Sequence, residues 1–358
     1  MTSSSLGPVV VYGAYGHTGR FVVDELLRRG LTPILSGRDE RRLEAMLDGR
    51  PDLEIRPAPV DDSDALRAAM AGAVAVINVA GPFLDTGVMV SEAAVAAGAH
   101  YLDVTAEQPA VEAVYAARAG DAEQMGVAVI PAMAFYGGLA DLLATAALKG
   151  GVVERETEPV TLSVAIGLDR WWPTAGTRLT GTRNTAPRRT IVDGRLAPLP
   201  DSVPRDTWHF AEGWFEQAVV AVPFSEPVLI ARHLPVDRLY SYLSASALSD
   251  IRDPATPPPP ASDDRGRSSQ QFVVDVVAQV GTQTHRIAAS GRDIYAATAP
   301  LIVEATARLL DGRATRTGVV APGEAFDAED FLRALTPDVL TLRRDVRSAR
   351  PPAAAARA

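Results

Sequence analysis

The segment VVVYGAYGHTGR, Val9 to Arg20, constrains this chain more than any other part of it. A β-branched run leads into Gly13, Gly16 and Gly19, and Phe21, Val22, Leu26 and Leu27 then recur at helical spacing as far as Gly30. Strand, glycine-rich turn and helix together form the element that binds a dinucleotide. The start of such a helix offers unpaired N–H groups and a partial positive charge, and a pyrophosphate reaches them only where no Cβ intrudes. The third glycine lets the helix pack against the strand. The spacing here is G-x-x-G-x-x-G rather than G-x-G-x-x-G, and Tyr15, His17 and Thr18 stand on the turn.

Beyond the turn the chain repeats the same plan. Apolar runs at Thr32–Leu35, Leu53–Val60, Ala73–Val79, His100–Val104 and Val127–Ile130 read as strands, and helical patterns separate them. Strands alternating with helices imply βαβ units, a parallel sheet and a doubly wound α/β domain of Rossmann type, expected over residues 1–135. Past residue 150 the pattern changes. Val160–Ile166, Val219–Val222, Val228–Leu229, Leu239–Ser246, Phe272–Val280 and Thr284–Ala289 read as strands with few helices between them. They predict a second, α+β domain with a mainly antiparallel sheet over 136–294. Arg252–Gln271 is a Pro/Ser-rich loop within it. An amphipathic helix at Tyr295–Leu310 opens a C-terminal helical segment, 295–346, and residues 347–358 are expected to be a disordered tail.

Composition narrows the function classes. A net charge of −9 disfavours nucleic acid or an anionic membrane as the main partner. There is no cysteine, so thiolate nucleophiles, disulfides and Cys-ligated metals are out. Lys149 is the only lysine, and its place before Gly150 suits a helix C-terminal cation better than a Schiff base. No His/Asp/Glu spacing resembles a metal site, and His100, His233 and His285 show no partner in the sequence. The opening MTSSSLG lacks the basic and apolar regions of a signal peptide, and no apolar run has the length of a membrane span, so a cytoplasmic protein is expected.

The second strand selects the cofactor. NAD-binding chains end it with a carboxylate for the ribose hydroxyls. Here it ends ILSGRD, with Ser36 in that place and Arg38 two residues on, a pair suited to a 2′-phosphate; NADP(H) is preferred over NAD(H). Asp61, after the third strand, can reach the adenine. Ala80, Gly81 and Pro82 follow the fourth strand at the carboxyl edge of the sheet, where ligands bind in open α/β folds, and Phe83 follows them. Asp103 and Glu107 leave the fifth strand on the same edge.

Hydride chemistry needs a group that protonates or stabilises the acceptor. Tyr136, in PAMAFYGGLAD, emerges just past the sixth strand, and the helix starting at Gly137-Gly138 could hold an oxyanion. Asp103 and His209, the latter between aromatics in TWHFAEGWF, are the further candidates. Trp171, Trp172, Thr177 and Arg178 in RWWPTAGTRLTGTRNT offer apolar surface and a possible anion site for substrate.

GAYGHTGRFVVDELLRRG, SGRD, AGPF and HYLDVTAE together resemble the NADP-binding half of saccharopine dehydrogenase-like oxidoreductases. PAMAFYGGLADLL, WPTAGTRLTGTRN, GRDIYAATAPLIVEATARLLDG and GVVAPGEAF extend the likeness over nearly the whole chain, toward the branch that includes trans-acting enoyl reductases. The resemblance implies Gly13, Gly16 and Gly19 on the pyrophosphate, Arg38 at the 2′-phosphate and Ala80-Gly81-Pro82 beside the nicotinamide. It implies a second domain that carries substrate contacts and often dimerises, and a late helix that returns to the first. Tyr15 departs from the small residue usual there.

The expectation is therefore an NADP(H)-dependent reductase or dehydrogenase acting on a C=O, C=N or C=C bond of a small organic molecule, as a homodimer. A redox-neutral isomerase, epimerase or cyclase that retains a dinucleotide, and a non-enzymatic NADP sensor, are the alternatives.

Overall fold

A computed structural model describes residues 7–149, 158–200, 205–210, 214 and 216–348. Six βα units open the chain. They are β1 (Val9–Tyr12) and α1 (His17–Arg28), β2 (Pro33–Gly37) and α2 (Glu40–Glu44), β3 (Glu54–Pro57) and α3 (Ser63–Met70). Then come β4 (Ala75–Asn78) and α4 (Phe83–Ala96), β5 (His100–Asp103) with α5 (Gln108–Arg118) and α6 (Asp121–Gln124), and β6 (Ala128–Ile130) with α7 (Gly138–Lys149). The remaining elements start with β7 (Val160–Leu168), α8 (Ala175–Arg183), β8 (Arg189–Val192), β9 (Arg195–Pro198), β10 (Arg205–His209) and β11 (Glu216–Ala221). After them stand α9 (Glu226–Ile230), β12 (Arg238–Ser244), α10 (Ala245–Arg252), β13 (Gln271–Val280), β14 (Gln283–Arg292) and α11 (Ile294–Leu310). β15 (Gly318–Val319), α12 (Pro322–Ala325), α13 (Ala328–Ala334) and β16 (Thr341–Ser348) complete the chain.

The first sheet has the order β15-β6-β5-β4-β1-β2-β3 and every pair in it is parallel. β1 is buried on both faces, Val9 and Val11 in one core and Val10 and Tyr12 in the other, which is why its sequence is a continuous apolar run without alternation. The chain steps from β1 to β2 on one side and to β4 on the other. The carboxyl ends of β1 and β4 therefore flank the switch point where open α/β sheets bind ligands.

The second sheet runs β10-β11-β12-β7-β13-β14-β16, with β8 and β9 attached beside β12. Its pairs along this path are antiparallel except β12 with β7. Alternate residues of β7 (Val160, Leu162, Val164, Ile166) pack into a core that also holds α7, α11 and the β1 valines, so one apolar core spans both sheets. α11 lies along α1, and Arg29, the C-cap of α1, pairs with Glu304 of α11. No helix among the described residues is long and apolar enough to cross a membrane.

Three local readings change. Val228–Leu229 belongs to α9, not to a strand; Pro227 sits in the first helical turn, and a helix buried on every side loses the period that would betray it. The C-terminal segment is not wholly helical. β15 extends the first sheet and β16 the second, and the many arginines of TLRRDVRS fit an edge strand. Of the expected tail, residues 347 and 348 end β16 and the rest lies outside the described residues.

Candidate functional site

The glycine turn is built on backbone contacts. Gly13 adopts φ 91°, and a Cβ there would stand 2.9 Å from the Ala80 backbone nitrogen. Gly19 is closed off in the same way by the carbonyls of Gly13 and Ala14, so it joins α1 to the turn. Gly16 differs: a Cβ on it would meet only the Gly13 carbonyl, at 3.1 Å. It is the N-cap of α1, and no side chain caps that helix. The first-turn N–H groups of His17, Thr18 and Gly19 are left for a ligand, and Gly16 is the residue that keeps their approach open.

The ribose end is set by β2. Arg38 is exposed and makes neither a hydrogen bond nor an ion pair among the described residues, because Asp39 instead caps α2 through the Arg42 N–H. Tyr15 lies against Gly37, and the Arg42 guanidinium stacks on its ring at 4.3 Å. Arg42 thus joins Arg38 at this corner, a residue that sequence reasoning missed. Ser36 is corrected: it is fully buried and its hydroxyl donates to the Arg56 carbonyl at 2.8 Å, so it locks β2 to β3 and does not face a phosphate. Asp61 is exposed beyond β3.

Ala80, Gly81 and Pro82 lie past β4. Asn78 accepts from the Ala80 N–H, and Pro82 is the N-cap of α4. The Phe83 N–H donates to Glu107 at 3.0 Å. Phe83 and Glu107 are both buried, and the second Glu107 oxygen meets no partner. Burial raises the Glu107 carboxyl to about 7, against the lowering effect of the Phe83 N–H. Asp103 is equally buried but saturated. It accepts from the Ala132 and Thr105 N–H groups and the Tyr101 hydroxyl, at 2.8–2.9 Å. Asp103 thereby ties β5 to the strand-end loop of β6; its carboxyl is held near 6 by burial, and it has no free oxygen to offer a substrate.

The second sheet's loops close over this edge. Tyr136 packs against both Trp171 at 5.3 Å and Phe224 at 4.2 Å, two rings that also meet each other at 6.4 Å, and its hydroxyl is buried without a partner. Burial raises its pKa well above that of an ordinary tyrosine, with the nearby Tyr295 adding to the effect. Tyr295 of α11, absent from the sequence-based candidates, is the organising residue. Its hydroxyl accepts from Trp171 Nε1 and the Thr174 N–H, bonds Thr177 Oγ1 and donates to the Trp172 carbonyl. The Tyr295 ring meets the His17 ring edge-on at 5.3 Å, which brings α11 to the glycine turn. His17 Nε2 is buried without a partner, and burial lowers its pKa against the opposing pull of Asp293. Nothing in GRDIYAATAP distinguishes Tyr295 from a core tyrosine; only the packing of α11 along α1 gives it this place.

Other candidates are placed elsewhere or otherwise employed. His209 is corrected: its side chain is 77% exposed on β10 and pairs with Glu216. Arg178 donates to the Ile251, Asp253 and Thr256 carbonyls and so anchors α8 rather than a substrate. Trp172 is half-buried under the Arg170 guanidinium. The α7 N-terminus is no oxyanion hole, since Ala132 and Ala134 carbonyls take the Gly138 and Leu139 N–H groups. His100 accepts from the Ala128 N–H and His233 bonds Asp141, both in structural roles. No group of three metal-ligating side chains occurs among the described residues. Lys149 ends α7.

A parallel sheet with an uncapped helix at its switch point, and an unpaired arginine at the end of β2, define a Rossmann-type dinucleotide-binding protein. Residues 9–130 match the family described as the saccharopine dehydrogenase NADP-binding domain. That stretch is thus similar to an NADP-binding domain, and the open α1 N-terminus and free Arg38 fit NADP(H). A lipid droplet localized protein of Caenorhabditis elegans is 33% identical over 146 residues, 37% of this chain and 34% of its own length. A probable mitochondrial saccharopine dehydrogenase-like oxidoreductase of Arabidopsis thaliana is 32% identical over 142 residues, 36% of this chain and 31% of its own. The chain thus spans about a third of the length of the curated relatives it matches. The fold continues past that region. Saccharopine dehydrogenase (L-Glu forming) of Saccharomyces cerevisiae superposes on 95% of this chain and 100% of its own, with TM-score 0.65 at 14% identity.

Proposed function

We propose that the protein is an NADP(H)-dependent reductase of a small organic substrate with a C=O, C=N or C=C bond. The observation that carries this is the buried, unpartnered hydroxyl of Tyr136 at the same sheet edge as the NADP site, beneath the aromatic loops of the second sheet. When bound, NADPH supplies a hydride. Tyr136 holds a proton at its hydroxyl throughout the physiological range and donates it to the atom that becomes negative. Trp171 and Phe224, which also meet each other, pack against the Tyr136 ring and exclude water from it. Tyr295 fixes the Trp171 loop against the glycine turn.

The reading is tested by following NADPH consumption at 340 nm with carbonyl, imine and enoyl compounds. With an active compound, Tyr136→Phe should lower kcat by about 10²–10⁴ without changing NADPH affinity. Full turnover in that variant moves the proton to another donor, with Glu107 first among the buried groups at this edge. Product formed without net NADPH consumption would replace the reductase with a redox-neutral enzyme.

The proposed assembly is a homodimer through the outer face of the second sheet. Trp208, Trp214 and Tyr242 there are only half-buried, around a small apolar cluster of Ala165, Phe210, Val219, Val273 and Ala288, and Tyr240 is exposed.

A further inference from the structure

Glu107 is the N-cap residue of α5, yet its carboxyl does not cap that helix. It turns instead to the start of α4, where one oxygen accepts from the Phe83 N–H at 3.0 Å. That single bond leaves the carboxyl half satisfied. The other oxygen is buried and meets no donor among the described residues, and the residue is only 1% exposed. The donors around it are engaged elsewhere. Arg183 pairs with Asp85 at 2.7 Å, the Gln108 amide donates to the Arg189 carbonyl, and the Ser225 hydroxyl donates to the Thr105 carbonyl. Burial is the main reason that the Glu107 carboxyl stands at about 7; the Phe83 N–H opposes it, Asp103 and Asp85 add to it, and Arg183 opposes it.

A buried acceptor without a donor is costly unless a ligand completes it. Glu107 stands at the carboxyl edge of the first sheet, bonded to the residue that follows Ala80-Gly81-Pro82, the loop expected beside the nicotinamide. We infer that the second oxygen of Glu107 accepts an N–H of the nicotinamide carboxamide, which makes Glu107 a cofactor-binding residue that sets the orientation of the ring. The carboxamide N–H₂ is the only hydrogen-bond donor on a nicotinamide. A ring held there cannot turn about its bond to the ribose, so one of its faces is offered to the substrate. This rests on the reading of NADP(H) at the α1 N-terminus.

The experiment is calorimetric titration at pH 8 of three ligands into the full chain. They are NADP⁺, its 3-acetylpyridine analogue, which carries a methyl in place of the carboxamide N–H₂, and 2′-phospho-ADP-ribose, which has no nicotinamide. Wild type should bind NADP⁺ about ten-fold more tightly than the analogue, the scale of one hydrogen bond to a charged acceptor. Glu107→Gln keeps an acceptor for Phe83 but turns an N–H₂ toward the carboxamide. It should bind NADP⁺ and the analogue within about two-fold of each other, and 2′-phospho-ADP-ribose as wild type does. Should this variant fail to fold, wild type alone decides. Near pH 5.5 Glu107 holds a proton and donates it to the C=O that both ligands carry, so the preference should fall to about two-fold or less. Three results overturn the assignment and leave the cofactor reading standing: equal wild-type affinities for NADP⁺ and the analogue at pH 8, a preference that survives at pH 5.5 or in Glu107→Gln, or an equal loss of all three ligands in the variant. A wild type that binds none of the three overturns both.

Discussion

Glu107 shows how a residue can be structural and titratable at once. One oxygen of its carboxyl receives the Phe83 N–H at the start of α4, and the other is buried without a partner. Its folded pKa, about 7, lies above the ordinary value of 4.5. The folded state therefore holds the proton more tightly than the unfolded chain. The stability this confers is complete below pH 4.5 and is lost as pH rises through 7. Glu107→Gln keeps an acceptor for Phe83 and cannot ionise. It should be more stable than wild type by about 1–3 kcal/mol at pH 8, and by little at pH 4.5, in urea unfolding. An equal difference at both pH values would show that Glu107 does not titrate in this window. From the sequence Glu107 and Asp103 were indistinguishable, two carboxylates leaving one strand. They are separated only by what β6 supplies, since the Ala132 N–H reaches Asp103 and nothing reaches the second oxygen of Glu107. Ser36 differs from its expected role for a similar reason, its partner being a β3 carbonyl that no local pattern announces.

At the scale of the element, the glycine turn and α1 divide their labour by position. The strand, turn and helix were plain in the sequence because each depends on local chemistry: a buried β-branched run, three missing Cβ atoms and a helical period. Which glycine serves packing and which serves the ligand was not plain, because that depends on the loop after β4. Gly13→Ala places a methyl against the Ala80 backbone and forces a side chain into φ 91°, so it should destabilise the fold by about 1–3 kcal/mol in thermal or urea unfolding. Gly16→Val projects over the α1 N-terminus and should abolish NADPH binding while leaving the unfolding midpoint near wild type. The opposite pattern, binding lost in Gly13→Ala at full stability and kept in Gly16→Val, would reverse the roles. α9 shows the limit of local signals, since its all-round burial erased the period that separates helix from strand.

For the molecule as a whole, two sheets share one core through α7 and α11, and the site candidates gather where the second sheet's loops meet the carboxyl edge of the first. That meeting could not be derived from the chain. His17, Tyr136, Trp171 and Tyr295 come from four distant segments, and only the packing of α11 along α1 brings Tyr295 beside His17. The other face of the second sheet carries the aromatic patch proposed as the dimer seam. Sedimentation equilibrium at micromolar concentration should give twice the mass of one chain, and Tyr240→Asp with Tyr242→Asp should return it to one. A single-chain mass for the wild type would leave that face without a partner copy. Everything else rests on NADP(H) lying across the α1 N-terminus with its 2′-phosphate on Arg38. Calorimetric titration of NADPH and NADH into wild type and Arg38→Ala tests this directly. NADPH should bind more tightly than NADH, and Arg38→Ala should cost about 1–3 kcal/mol for NADPH and almost nothing for NADH. Equal losses for the two cofactors, or equal affinities in the wild type, would contradict the account.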